Sequence, residues 1–192
     1  MVFSASMPLW RHFGPNDHAI PPIYSVVPKF SLTNQDGQPF GSEELYGHAF
    51  VANFVFLGCS DACPRLTEKM RQLQDELTGT RVRLVTFSVD PVNDTPERLK
   101  DYGRAFGADF ARWTFLTGPS AEIERTVVRG FKIAMGKEPA SNENGETKSG
   151  ILQIFHGERF VLVDGACRIR GYFDSDAASL TELVRAARTL SR

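Results

Sequence analysis

The sequence predicts an α/β fold in which a central mixed β-sheet is flanked by helices, and three observations carry that prediction. Two nearly continuous apolar runs, FVANFVFL and RVRLVTFSVD, suit strands covered on both faces, as in a parallel sheet. Each run leads into a segment whose apolar residues recur at helical spacing. At 192 residues and 42% hydrophobic content, the chain is long enough to bury one substantial core, and no internal repeat divides it.

Residues 1–27 are rich in proline and mixed polar groups without periodicity, and read as an arm or leader before a domain at 28–192. In PKFSLTNQDGQPF, Phe30 and Leu32 alternate, Asp36-Gly37 marks a tight turn and Phe40 resumes the pattern. This predicts a small hairpin. The run from Phe50 to Leu57, interrupted only by Asn53, is the first buried strand. Leu66, Met70, Leu73 and Leu77 then form a helical stripe, and Pro64 fits the first turn, where a missing N–H costs nothing. RVRLVTFSVD is the next strand, and DTPERLKDYGRAF a helix capped by Asp94 or Thr95. WTFLTG is a short strand, followed by a helix opened by Ser120 with the stripe Ile123, Val127 and Phe131. GKEPASNENGETKSG, polar and glycine-containing, reads as a mobile loop. RFVLVDGACRIRGYF makes two strands around a turn at Asp164-Gly165, and Leu180, Leu183, Val184, Ala187 and Leu190 close the chain as an amphipathic helix.

Composition narrows the function classes. A formal net charge of -1 with interspersed signs offers no basic footprint for nucleic acid. Three cysteines are too few for a disulfide scaffold. Residues 1–27 contain no basic segment followed by a long apolar run, so neither a signal peptide nor a transmembrane helix is expected in them.

Chemistry concentrates where the first buried strand ends, in GCSDACP. Thiolates are soft ligands suited to Cu(I) and also the nucleophiles of disulfide exchange, so Cys59 and Cys63 support a metal chelate or a redox dithiol. A plain structural bridge closes a tiny loop and stabilises little. Cys63 stands at the start of the helix, which predicts a lowered thiol pKa there. Redox enzymes of the thioredoxin kind use C-x-x-C, whereas C-x-x-x-C has an extra residue that loosens the loop. Downstream, QIFHGERFVLVD has no proline to face the dithiol and offers His156. Imidazole with two thiolates makes a trigonal set for copper. A lone histidine is more often a core or surface residue, the reading kept for His12, His18 and His48. Cys167 reads as an incidental thiol and Asp61 as a solvated carboxylate or weak oxygen ligand. Asp90 reads as a turn or cap residue, with a place beside a metal as the sharper option.

NFVFLGCSDACPRLT, SVDPVNDTPERLKDY, FLTG and FHGERFVLVDGACRIRGYFDSD together resemble the Sco/SenC proteins, copper chaperones of cytochrome c oxidase assembly. The likeness runs in order from about Pro28 to the last helix. It implies a thioredoxin-like fold with an N-terminal β-hairpin extension, Cys59, Cys63 and His156 as metal ligands, and Asp90 as the aspartate kept near the site. It also implies Cu(I) or Cu(II) as the bound metal, delivered to the CuA centre of oxidase subunit II or to another copper protein. Such proteins are usually tethered by one N-terminal helix, facing the periplasm in bacteria or at the mitochondrial inner membrane. The anchor is expected to lie outside this chain. The sequence departs from the family at Ser60, where a proline is frequent, and at Cys167, where a non-thiol turn residue is usual.

Three functions compete for the same dithiol. The first is the copper metallochaperone. The second is a thiol–disulfide oxidoreductase that, with a thiol reductant, acts on the CuA-site cysteines or another periplasmic disulfide. A redox or copper sensor is the third. The oxidoreductase tolerates loss of His156, and the chaperone does not.

Overall fold

The computed structural model describes residues 20–133, 135–141, 147–156 and 159–191, with side chains described for 20–133 and 159–191. Their elements run β1 (Ser25–Val26), β2 (Ser31–Asn34), β3 (Pro39–Gly41), β4 (Phe50–Val55), α1 (Ala62–Glu76), β5 (Arg83–Ser88) and α2 (Pro96–Ala105). There follow β6 (Trp113–Thr117), α3 (Ser120–Glu124), β7 (Met135–Ser141), β8 (Thr147–His156), β9 (Arg159–Val163), β10 (Arg168–Asp174) and α4 (Ala177–Leu190). The main sheet has the order β1-β10-β9-β4-β5-β6-β2-β3. Its centre is parallel, β4 to β5 and β5 to β6, and β9 joins β4 antiparallel.

Every residue of β4 is buried, which is why its sequence is apolar without alternation. Phe50, Ala52 and Phe54 enter one core with Phe87, Ile123, Val127 and Phe131. Val51 faces the opposite core, with Leu66, Met70 and Leu73 of α1, Leu99 of α2 and Leu183 of α4. The sheet is therefore covered on both faces, as the apolar runs require. The predicted hairpin is β2–β3, with Gly37 at φ 74 in its turn, and β2 also pairs with β6. A positive φ of this kind suits glycine, which carries no Cβ.

Three details differ from the sequence reading. The polar stretch 136–150 is not simply a loop: β7 and β8 pair antiparallel, from Met135 opposite His156 to Ser141 opposite Thr147, as a two-stranded ribbon apart from the main sheet. Adjacent antiparallel segments satisfy each other's backbone groups locally, so composition alone does not reveal the pairing. Secondly, α3 gives way to a π-helical turn over Arg125–Gly130, where Phe131 N donates to Thr126 O at 2.9 Å. Thirdly, Ser25–Val26 forms an edge strand on β10, inside the segment read as an arm.

The β9–β10 turn is built by Asp164. Its Oδ1 accepts the N–H groups of Ala166 (2.9 Å) and Arg168 (3.0 Å), and Cys167 takes a left-handed φ of 55. Its Oδ2 accepts Nη1 of buried Arg170 at 2.7 Å, while Arg170 Nε donates to Pro21 O at 2.8 Å. One buried ion pair thus fastens residues 20–27 to the domain. Gly165 is required for a different reason, since a Cβ there would stand 2.9 Å from Gly47 C and 3.0 Å from His48 N.

Candidate metal centre

The chain leaves the carboxyl end of the central strand β4, and a tight turn follows, closed by Cys59 N donating to Phe56 O at 3.2 Å. Cys59 is half-buried and Cys63, in the first turn of α1, is buried. Both are thiols. Their sulfurs sit in different fields: Cys63 N donates to Cys59 Sγ at 3.4 Å, and Phe56 N donates to Cys63 Sγ at 3.5 Å.

The expectation that Cys63 is the acidified thiol is overturned. Burial pushes its pKa well above the ordinary value, the Phe56 N–H only partly opposes this, and hydrogen bonding and charge at Cys59 and the charge of Asp94 add to the rise. Cys59 moves the other way. Burial alone would raise it, but the N–H groups of Cys63, Asp61 and Ala62 and the Cys63 thiol reverse the sign and lower it below 9.0. The physical reason is direction: the open amides at the start of α1 point at the sulfur of the preceding loop, while the Cys63 side chain turns under the helix. Asp61 is exposed and ion-pairs with Arg65.

Polar side chains support this corner. Thr67 Oγ1 donates to Cys63 O at 2.9 Å, which leaves it to accept the Tyr102 hydroxyl at 2.8 Å. Burial, with the charges of Cys63 and Cys59 adding, pushes Tyr102 up to about 12, so it stays a donor at neutral pH. Asp90, in the turn after β5, accepts Asn93 Nδ2 at 2.7 Å and donates its own N–H to Ser88 Oγ at 3.1 Å. Asp94 is fully buried: both its oxygens accept Leu57 N, at 3.3 and 3.2 Å, and Oδ2 accepts Ser88 Oγ at 2.7 Å. Thr95, whose Oγ1 accepts Arg98 N at 3.4 Å, is the cap of α2. Sequence reasoning offered Asp94 only as an alternative cap and missed Thr67 and Tyr102. Thr67 was accessible to it, as a polar residue on the apolar stripe of α1.

His156 ends β8, and β9 begins at Arg159. Because β9 runs antiparallel to β4, with Ala52 opposite Val161 and Phe50 opposite Val163, its start lies beside the end of β4. His156 precedes the first residue of β9 by three positions along the chain. The His156 side chain lies outside the described residues, as do His12 and His18. His48 is half-buried, before β4. Among the described residues no three His, Cys, Asp or Glu side chains group as a metal site. The two described donors nevertheless fit a soft metal: adjacent thiols, one of them already polarised towards thiolate. An open cleft of about 660 Å³ lies elsewhere, lined by Lys29, Phe30, Glu43, Pro119, Glu122 and Arg125, and contains neither cysteine.

The SCO1/SenC family model matches residues 21–191. The chain belongs to the SCO1/SenC family. It is 38% identical to the SCO1 protein homolog of Bacillus subtilis over 145 residues, 74% of this chain and 70% of that one. The crystal structure of a SCO1/SenC family lipoprotein from Bacillus anthracis is similar with a TM-score of 0.74 at 31% identity, covering 88% of this chain and 96% of the other. ScoI of Bradyrhizobium japonicum, solved with copper bound, gives a TM-score of 0.66 at 25% identity, covering 86% and 98%. The thioredoxin-like fold expected from the motifs is thus the fold of this SCO1/SenC chain. No described helix is long and apolar enough to cross a membrane.

Proposed function

We propose that the chain is a copper-binding metallochaperone that holds copper with Cys59, Cys63 and His156 and passes it to the CuA centre of cytochrome c oxidase subunit II. The observation that carries the reading is the pair of cysteines after β4, with Cys63 N donating to Cys59 Sγ at 3.4 Å and opposite pKa shifts on the two thiols; His156, three residues before β9 in the chain, is the imidazole the reading adds. The copper-bound relative lends support. Cys59, half-exposed and more acidic, meets the metal first. Cys63 then releases its proton to water as its sulfur joins the cation, whose charge offsets the cost of a buried thiolate. Transfer follows by exchange of these sulfurs for those of the acceptor. A family lipoprotein supports a membrane-tethered life on the periplasmic face or its mitochondrial counterpart. The test is copper movement from the reduced, Cu(I)-loaded protein to an apo CuA domain. The wild type transfers one equivalent, and His156→Ala and Cys63→Ser hold copper weakly and transfer little. Unchanged retention in both variants contradicts the reading.

The same asymmetry favours a second reading, disulfide exchange. Cys59 thiolate attacks a target disulfide, forming a mixed disulfide and releasing one target thiolate. Cys63 then attacks the Cys59 sulfur, gives up its proton and releases the second target thiol, leaving a Cys59–Cys63 disulfide. This activity survives His156→Ala.

A further inference from the structure

Asp94 does more than its place before α2 requires. Its carboxylate is fully buried, yet it makes no cap bond, since Thr95 caps the helix. Both oxygens instead face Leu57 N, at 3.3 and 3.2 Å, two residues before Cys59, and Ser88 Oγ fixes the carboxylate from β5 at 2.7 Å. Ser88 Oγ is held in turn by Asp90 N at 3.1 Å, and Asp94 N donates to Asp90 O at 3.0 Å. The neighbouring N–H groups of the same turn complete the pattern: Phe56 N goes to Cys63 Sγ, and Cys59 N to Phe56 O.

We infer that Asp94 is the positioning residue of the dithiol: it staples the Phe56–Cys59 turn to the end of β5 and so sets Cys59 against Cys63. Hydrogen bonds from the N–H groups of Phe56, Leu57 and Cys59 hold this turn, and of these three the one from Leu57 goes to a side-chain carboxylate. A buried carboxylate accepting a backbone N–H is a strong, directional tether, and one left without partners is costly, so the residue retains a narrow geometry. The role belongs to both readings above, because a chelate and a disulfide alike need the two sulfurs close.

The test measures the dithiol without metal. Two protein thiols and one oxidised glutathione equilibrate with the protein disulfide and two reduced glutathiones, and the constant reports how closely the thiols are held. Asp94→Ala removes the acceptor for both Leu57 N and Ser88 Oγ and is expected to lower that constant about tenfold or more, tenfold being about 1.4 kcal/mol. Asp94→Asn keeps an acceptor for Leu57 N and is expected to fall between the wild type and Asp94→Ala, with faster hydrogen exchange at the Leu57 amide than in the wild type. Circular dichroism and thermal melting confirm that the variants fold, and if Asp94→Ala does not, the Asp94→Asn constant and amide exchange decide. Constants equal to the wild type overturn the inference. So do equal shifts in the two variants, since charge rather than position would then be at work. Failure of the copper reading leaves this equilibrium readable, so the two are tested apart.

Discussion

Alkylation of the reduced protein at pH 8 is expected to find Cys59 well before Cys63 or Cys167. The perturbation is iodoacetamide in limited amount, and the magnitude follows from the local fields. Burial, with Asp164 and Glu43 adding, pushes Cys167 up to about 11, so roughly 0.1% of it is thiolate at pH 8. Cys59, below 9.0, is more than about 9% thiolate at that pH, an advantage of about a hundredfold. Lower basicity reduces intrinsic nucleophilicity by about one order of magnitude over this range. A net preference of about tenfold is left before access is counted. Burial then widens it, since Cys167 is 3% exposed and Cys63 1% exposed with a higher pKa still. Mass spectrometry of the quenched, digested protein gives the order, with fragment ions separating Cys59 from Cys63 on their shared peptide. The Cys59 rate should also rise with pH with its midpoint below 9.0. Cys63 labelled as fast as Cys59 would refute the assignment of the two sulfurs.

Further outcomes follow from the packing. Asp164→Ala strips the carboxylate from Arg170, whose side chain is 7% exposed, and should cost about 3–5 kcal/mol in urea unfolding; a loss under 1 kcal/mol would contradict the buried clamp. Burial pushes Asp164 up, but hydrogen bonds from Arg170, from the N–H groups of Arg168 and Ala166 and from the Arg168 side chain bring it below 3.8. Its contribution is therefore full above about pH 3.8 and lost as pH falls through the lower folded value, so the gap between wild type and Asp164→Asn should close in strong acid. Phe87→Ala empties a site packed against Phe30, Phe54 and Phe131, with ring centroids at 5.6, 5.7 and 5.0 Å. It should cost about 3–5 kcal/mol, measured by the urea midpoint.

Most of the fold is legible because burial on both faces leaves a continuous apolar run, as in β4 and β5, and helix faces repeat, as in Leu66, Met70 and Leu73. The ribbon β7–β8 escaped because its pairing is a backbone property, satisfied by polar residues as readily as by apolar ones. At the site, the types and spacing of Cys59 and Cys63 were readable, and their electrostatics were not. Helix position predicted the right source of positive potential and the wrong sulfur, since which thiol the amides face depends on the course of the 56–61 loop in space. Asp94 hid for a similar reason. Its carboxylate looks like a cap in sequence, and only the parallel pairing of β4 with β5 brings Leu57 N to it.

On the proposed reading, Cys59, Cys63 and His156 together hold copper. X-ray absorption at the copper edge, on the reduced protein loaded with one equivalent of Cu(I), tests it most directly when wild type and His156→Ala are compared. Two sulfur scatterers and one imidazole nitrogen are expected in the wild type, with the nitrogen lost and both sulfurs kept in the variant. A first shell without two sulfurs, or one unchanged by His156→Ala, would contradict it.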